Sequence, residues 1–452
     1  MSPVSYKVRI PGRRKPFKIL HINLLKEWHN RQEVNTSLAA VFQTDVAIGN
    51  DLTDTQKTEL LSLIERNTDI FSDLPGKTNI TKHKITTELG VCVQMQPFWI
   101  PEARRNIVCE EVKKMLTLGV IRESKSDWCS PLVLVPKQDG SVRFCIDFRC
   151  LNKVSKFDAY PMSRVDELLE KLGQASYIST LDLMKGYWQV PLEASSCEKT
   201  AFATPDGLYE FTRLPFGLHG APLTFQRMMD QILRPHSEYS GAYLDDVVIF
   251  SNDWQTHLER LQAILERLRQ AGLTANPKKC KLGMSETHYF GYSLGNGLLR
   301  PQLRKIEEML VYPRPETQKK VRTFLGVASY YRRFIPNFAH RAAPLTELTR
   351  GRKNQPILWT ENCERSFSDL KKALSSYPVL RNPDFTKDFI LQTDASAFGV
   401  GAVLSQIFDG EEHPITYLSR KLLPRERNYS TIEKVCLAIR WAVEALRYYL
   451  WG

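Results

Sequence analysis

Apolar and polar positions alternate through Gly241-Ala242-Tyr243 and resume through Val247-Val248-Ile249-Phe250, a pattern that predicts two β-strands closed by a tight turn. At that turn stand Asp245 and Asp246, carboxylates where the pattern calls for core. Tyr177-Ile178-Ser179-Thr180-Leu181-Asp182-Leu183 is a second β-prone run with an acid near its end, 63 positions earlier (245 − 182). Another hairpin is predicted over residues 128–148, where Leu132/Leu134 and Val142/Phe144/Ile146 alternate on either side of Asp139-Gly140. Thr53 and Gln56 make a capping box ahead of Leu60, Leu61 and Ile64, which predicts a helix start, and a second helix is predicted over residues 102–118. The spacing of Leu258, Leu261, Ile264, Leu265 and Leu268 predicts a long helix, stopped by Gly272 and Pro277. Residues 303–377 are helical in pattern and are cut into short pieces by Pro313, Pro315, Pro336, Pro344 and Pro378. Near the end, residues 389–396 read as a strand carrying Asp394. Residues 429–433 open a helix whose apolar positions include Val435, Ile439, Val443 and Leu446.

The 452 residues are enough for two to four domains with substantial cores. A net charge of +12 is unevenly spread: residues 1–26 carry seven Lys/Arg and no acid, and 301–350 carry ten Lys/Arg against four acids. Two basic faces suit a phosphate backbone, and each is equally an ordinary solvated surface when taken alone. No run of about 18 apolar residues is present to cross a bilayer, and the basic start lacks a secretory signal's apolar stretch, so an intracellular setting is expected. The nine cysteines form no Cys-x-x-Cys pair and no zinc-type grouping with histidine, so neither a disulfide nor a structural zinc is expected.

An Asp-Asp dipeptide alone is most simply a solvated turn. A third carboxylate changes that reading, because two divalent ions about 3.5–4 Å apart need several hard oxygen ligands. Around Asp182 and the Asp245-Asp246 pair lie Ser130-Pro131-Leu132-Val133-Leu134-Val135-Pro136-Lys137, Arg143-Phe144-Cys145-Ile146-Asp147-Phe148-Arg149 and Gly186-Tyr187-Trp188-Gln189. Leu214-Pro215-Phe216-Gly217-Leu218 and Phe290-Gly291-Tyr292 complete the set. In order and spacing these resemble the reverse transcriptase of gypsy-type LTR retrotransposons and their retroviral relatives, from about Phe71 to the last residue.

The resemblance implies an α+β right-hand polymerase with fingers, palm and thumb, followed by a truncated RNase H-like α/β domain. Its divisions fall at residues 1–50 (a basic tail), 51–300 (fingers and palm), 301–378 (thumb and connection helices) and 379–452 (incomplete RNase H). The tail around Tyr6–Ile10 and residues 19–26 resembles the end of an integrase C-terminal barrel, which implies integrase upstream in a parent polyprotein; an unrelated basic tail reads equally well. In the family Asp182 and Asp245 hold two Mg²⁺ ions, with Asp246 beside them and the Leu183 carbonyl completing the shell. Lys137 and Arg143 occupy positions that grip the dNTP triphosphate, Tyr187 the position that closes the sugar pocket against a 2′-hydroxyl, and Phe216 the position beneath nucleotide and template. Phe290, Gly291 and Tyr292 match the primer grip, whose glycine is expected to permit close backbone approach. Asp394 and Glu433 match two of the four RNase H acids. The third and fourth are expected beyond Trp451-Gly452, so RNase H activity is expected to be lost. RNA template, DNA primer, RNA/DNA hybrid and other parts of a Pol polyprotein are the implied partners, in a cytoplasmic virus-like particle with nuclear entry and no membrane. The implied function is RNA-directed DNA polymerisation. Two other readings compete with it: a catalytically inactive nucleic-acid-binding remnant, and a nuclease acting through the RNase H-like part.

Overall fold

The computed structural model describes residues 5–9, 17–21, 45–136, 142–162, 165–350, 357–376 and 378–451. Its centre is a five-stranded sheet in the order Ser240–Tyr243, Asp246–Ser251, Tyr177–Asp182, Lys281–Met284, Ala47–Ile48. The first four strands run antiparallel to their neighbours, and Ala47–Ile48 pairs parallel at the edge. Val247, Val248 and Ile249 are fully buried, as are Ile178 and Leu181 on the neighbouring strand. The run is continuously apolar because both faces of this sheet are covered.

Helices cover it. Thr53 accepts the Gln56 amide while Gln56 Oε1 accepts the Thr53 amide, so the capping box forms and the helix Asp54–Arg66 follows. Its buried positions are Leu60, Leu63 and Ile64; Leu63 takes the place expected for Leu61, which is half-buried. The helix Trp254–Gln270 starts at Asp253, whose carboxylate accepts the Thr256 amide at 2.9 Å, and buries Leu261, Ile264, Leu265 and Leu268. It also buries His257, whose Nε2 lies 2.8 Å from Ser179 Oγ and Nδ1 2.9 Å from Ser251 Oγ. Ser179 Oγ further accepts the Gly283 amide at 2.9 Å. One imidazole therefore ties this helix to two adjacent central strands and, through Ser179, to a third.

A second five-stranded sheet orders Ile121–Glu123, Gly207–Phe211, Phe202–Thr204, Ser130–Pro136 and Val142–Ile146. The predicted hairpin is its last pair, and the turn at Asp139-Gly140 lies outside the described residues. The strand Glu286–Tyr289 begins a four-stranded sheet that continues through Tyr292–Gly295 and Leu298–Pro301 to Leu380–Arg381. That last pairing joins residues on either side of the helical segment, so position 300 falls inside one strand of this sheet and position 378 just ahead of another. Beneath it, Leu168, Leu169, Leu172, Leu294, Phe324, Phe334, Leu370 and Leu374 share a single core. Among the described residues no helix is long and apolar enough to cross a membrane.

The C-terminal part is a three-stranded antiparallel sheet, Ile390–Ala395, Gly399–Phe408 and Glu411–Lys421, with the helix Thr431–Ala445 against it. Tyr449 donates to the Glu170 carboxylate, and Asn382 Nδ2 donates to the Glu170 carbonyl at 3.0 Å, docking this part onto the helix Val165–Gly173. At the other end of the chain, Ser5–Arg9 pairs antiparallel with Phe17–His21; the expected strand over 19–26 is described only to His21.

Candidate active site

The turn between Ser240–Tyr243 and Asp246–Ser251 has two residues, Leu244 and Asp245, with Tyr243 paired to Asp246. Leu244 takes φ of 57°, a left-handed conformation that is unfavourable for a branched side chain. Gln226 holds it there. Its Oε1 accepts the Leu244 amide at 2.8 Å, and its Nε2 donates to the Ala242 carbonyl at 2.9 Å and to Asp230 Oδ1 at 2.8 Å. Gln226 is fully buried in the helix Ala221–Leu233, between Phe225 and Met229 on an otherwise apolar face.

The register then brings the acids together. Asp246 lies directly opposite Asp182 across the antiparallel pair, and Leu183 donates its amide to the Asp245 carbonyl at 2.9 Å. Like charges directly opposite on adjacent strands repel. Burial, then Asp245 and Asp182, push Asp246 up to about 6, and burial, reinforced by Asp182, also raises Asp245. Gly186 makes room for this crowding, since a Cβ there would lie 2.9 Å from Asp245 Cβ and 3.1 Å from Phe225 Cζ.

Three carboxylates and nearby main-chain carbonyls form a hard-oxygen donor set of the kind that Mg²⁺-like ions take, and their mutual repulsion is what a cation would relieve. Among the described residues, however, no three His, Cys, Asp or Glu side chains are gathered into a ready-made metal cage. Lys279 Nζ instead lies 2.9 Å from Asp182 Oδ2.

The pH dependence of this crowding gives a direct test. Folding raises the Asp246 pKa, so the fold favours its protonated form; that contribution is complete below the ordinary carboxylate range and is lost as pH climbs through about 6. Asp246→Asn has no such loss. In metal-free buffer the variant should match wild type near pH 4 and exceed it by about 1–2 kcal/mol near pH 8, after allowance for partial exposure. Urea unfolding at several pH values measures this, and a difference that stays constant with pH would remove the repulsion from the account.

Around the acids, the Tyr187 ring packs 5.0 Å from Phe216 and 5.6 Å from Phe225, and burial followed by Asp245 pushes its hydroxyl up to about 12. Phe216 is 53% exposed, which leaves an open aromatic face beside the carboxylates. Arg143 is exposed on the strand Val142–Ile146, opposite Val135, whereas Lys137 lies outside the described residues. Asp147 is held by Arg149 at 2.6 Å.

Phe290 and Gly291 form a two-residue turn with φ of 48° and 74°, so the turn geometry itself selects glycine. Close approach adds to it, because a Cβ at Gly291 would lie 3.0 Å from the Tyr331 hydroxyl. Tyr331 donates to the Gly291 carbonyl at 2.9 Å and Tyr330 to that of Phe290 at 2.5 Å. Phe290 meets Tyr243 edge-on at 4.8 Å, and Tyr289 donates to the Asp246 carbonyl at 3.3 Å, so this hairpin is coupled to the acidic one; the Tyr292 ring stacks at 5.3 Å on Tyr330.

In the C-terminal part Asp394 is exposed on the strand Ile390–Ala395, where it lines a cleft with Asn337, His340, Ser419 and Arg420. Glu433 is occupied in a capping box, its carboxylate accepting the Ser430 amide at 2.7 Å.

Residues 135–294, which contain all three aspartates, match the family model described as reverse transcriptase (RNA-dependent DNA polymerase). Residues 359–452 match the RNase H-like domain found in reverse transcriptase. The retrovirus-related Pol polyprotein from transposon 297 of Drosophila melanogaster is 40% identical over 83% of this chain and 36% of its own length. The chain therefore carries a reverse transcriptase domain followed by the RNase H-like domain found with it, and is related over most of its length to retrovirus-related Pol polyproteins of transposons. The Pol polyprotein of transposon gypsy, from the same fly, is 37% identical over 92% of this chain and 42% of its own length. A transposon Tf2 polyprotein of Schizosaccharomyces pombe is 33% identical over 84% and 29%. The chain thus spans less than half the length of these curated relatives. A foamy viral protease-reverse transcriptase solved with an RNA/DNA hybrid shares its fold at a TM-score of 0.80 and 22% identity, over 95% of this chain and 57% of that one. Another foamy viral protease-reverse transcriptase, solved with double-stranded DNA, gives 0.83 and 21%, over 99% and 81%. The fold is that of a right-hand polymerase followed by an RNase H-like part. Divalent metal use goes with the family.

Proposed function

We propose that this chain is the polymerase portion of a retrotransposon Pol polyprotein, an RNA-directed DNA polymerase that extends a primer 3′-hydroxyl with dNTPs. The observation that carries the proposal is Asp246 facing Asp182 across two paired strands, with Asp245 in the adjoining turn. Asp182, Asp245, Asp246 and the Leu183 carbonyl would hold two Mg²⁺ ions. When bound, these ions would lower the pKa of the attacking hydroxyl and stabilise the leaving pyrophosphate. Gln226 and Gly186 fix where Asp245 sits. The exposed Phe216 ring offers a face for stacking, and Arg143, with Lys137, would offset the triphosphate charge. The hairpin bearing Phe290, Gly291 and Tyr292, anchored by Tyr330 and Tyr331, would hold the primer end over the carboxylates. Template RNA, DNA primer and their hybrid are the proposed partners, and a cytoplasmic particle with other Pol parts is the proposed setting.

Primer extension on an RNA template with dNTPs and Mg²⁺ tests the proposal. Template-directed extension is expected. Duplex binding without extension would instead support a non-catalytic remnant.

Sugar choice offers a finer test. Tyr187 makes no hydrogen bond through its hydroxyl among the described residues, and its ring abuts Phe216 beside Asp245. If the ring closes the sugar pocket by bulk, Tyr187→Val should relax discrimination against ribonucleotides by about tenfold to a hundredfold. Unchanged discrimination would make Tyr187 a packing residue.

A further inference from the structure

Lys279 was not marked by any sequence pattern, yet it makes a direct contact with the carboxylate cluster. Its Nζ lies 2.9 Å from Asp182 Oδ2, with side-chain exposures of 61% for the lysine and 17% for the aspartate. The placement is built in. Asn276 donates its amide to the Asp182 carbonyl at 2.7 Å, Met184 donates to that of Thr274 at 2.9 Å, and Asn276 Oδ1 accepts the Lys278 amide at 3.2 Å. These bonds set the short helix Pro277–Lys279 against the end of the Asp182 strand, and the fully buried Cys280 follows it. Asp182, Asp245 and Asp246 all favour the charged form of Lys279.

We propose that Lys279 is the internal counter-cation of the metal-free site: its ammonium neutralises Asp182 until a divalent ion arrives, and ion binding must break this pair. Lys279 is then a positioning residue for the carboxylates. The inference rests on the proposed metal-holding role of Asp182. One ammonium offsets one of three negative charges, so the site stays anionic enough to attract a divalent ion while its worst repulsion is relieved. Binding exchanges a salt bridge for metal–oxygen bonds and releases the lysine to solvent. Metal affinity is therefore set below what the bare carboxylates would give.

The test uses Mn²⁺ alone, without nucleotide or nucleic acid, so its result is independent of whether the chain polymerises. Isothermal titration should show Lys279→Met binding Mn²⁺ about fivefold more tightly than wild type, the scale of one partly exposed ion pair, with Lys279→Arg close to wild type. In EDTA, Lys279→Met should melt below wild type, and saturating Mn²⁺ should close that gap. A purely structural lysine would lower the melting temperature without tightening Mn²⁺ binding, and that result, or weaker binding, would overturn the proposal. Should Lys279→Met not fold, wild type alone decides. Modification of Lys279 by an amine-reactive reagent, followed by peptide mass analysis, should accelerate several-fold when Mn²⁺ is added; an unchanged or slower rate would contradict release.

Discussion

Asp245→Asn is expected to lower primer extension by about a thousandfold or more while leaving affinity for primer–template nearly unchanged. The amide keeps the shape of the turn, and the backbone bond from Leu183 to the residue-245 carbonyl does not involve the side chain. What is lost is one charged oxygen ligand, and with it stabilisation of the transition state alone. Duplex affinity rests on backbone phosphates contacted elsewhere. Single-turnover extension and a filter-binding titration on the same preparation separate the two effects. Residual extension within about tenfold of wild type, a barrier change of only about 1.4 kcal/mol, would remove Asp245 from the ligand set.

The second large effect concerns stability. His257 is buried, and burial, assisted by Arg260, depresses its pKa to about 4. A histidine whose folded pKa is lowered contributes stability that is complete above its ordinary value near 6.5 and is lost as pH falls through 4. Over that window wild type should lose about 3 kcal/mol from this group, because the unfolded chain takes up the proton first. His257→Gln should start about 2 kcal/mol less stable at pH 7, with the Ser179 and Ser251 hydroxyls imperfectly partnered, and should then lose correspondingly less on acidification. Denaturant midpoints at pH 7, 5.5 and 4 give both quantities. Parallel pH profiles for the two proteins would show that His257 does not titrate with folding.

His257 also marks where the sequence stops being readable. Leu258, Leu261, Ile264, Leu265 and Leu268 announced the helix, because a 3.6-residue period needs only local information. That the imidazole would bridge Ser179 and Ser251 depends on strand register, and register between distant segments has no local signature. The same limit applies to Asp182. Its β-prone run predicted a strand and the motif order placed it in a family, but only the pairing of Tyr177–Asp182 with Asp246–Ser251 set it opposite Asp246. Lys279 is 97 residues from Asp182 in sequence and sits in a Lys-Lys pair that reads as surface. Gln226 did carry a faint signal, an amide residue among Phe225, Met228 and Met229, although its burial and its bond to the Leu244 amide follow only from the fold. A boundary is expected at position 300, inside the strand Leu298–Pro301, and the pairing of that strand with Leu380–Arg381, across an intervening helical segment, has no local signature.

The most direct measurement is anomalous diffraction from crystals of the protein with an RNA template, a terminated DNA primer, dNTP and Mn²⁺. Two manganese peaks about 3.5–4 Å apart, touching Asp182 and Asp245 with the Leu183 carbonyl beside them, are the expected result. Absence of metal at these carboxylates in a nucleotide-bound complex, with Lys279 still paired to Asp182, would show that Asp182 and Asp245 do not hold the metals of polymerisation.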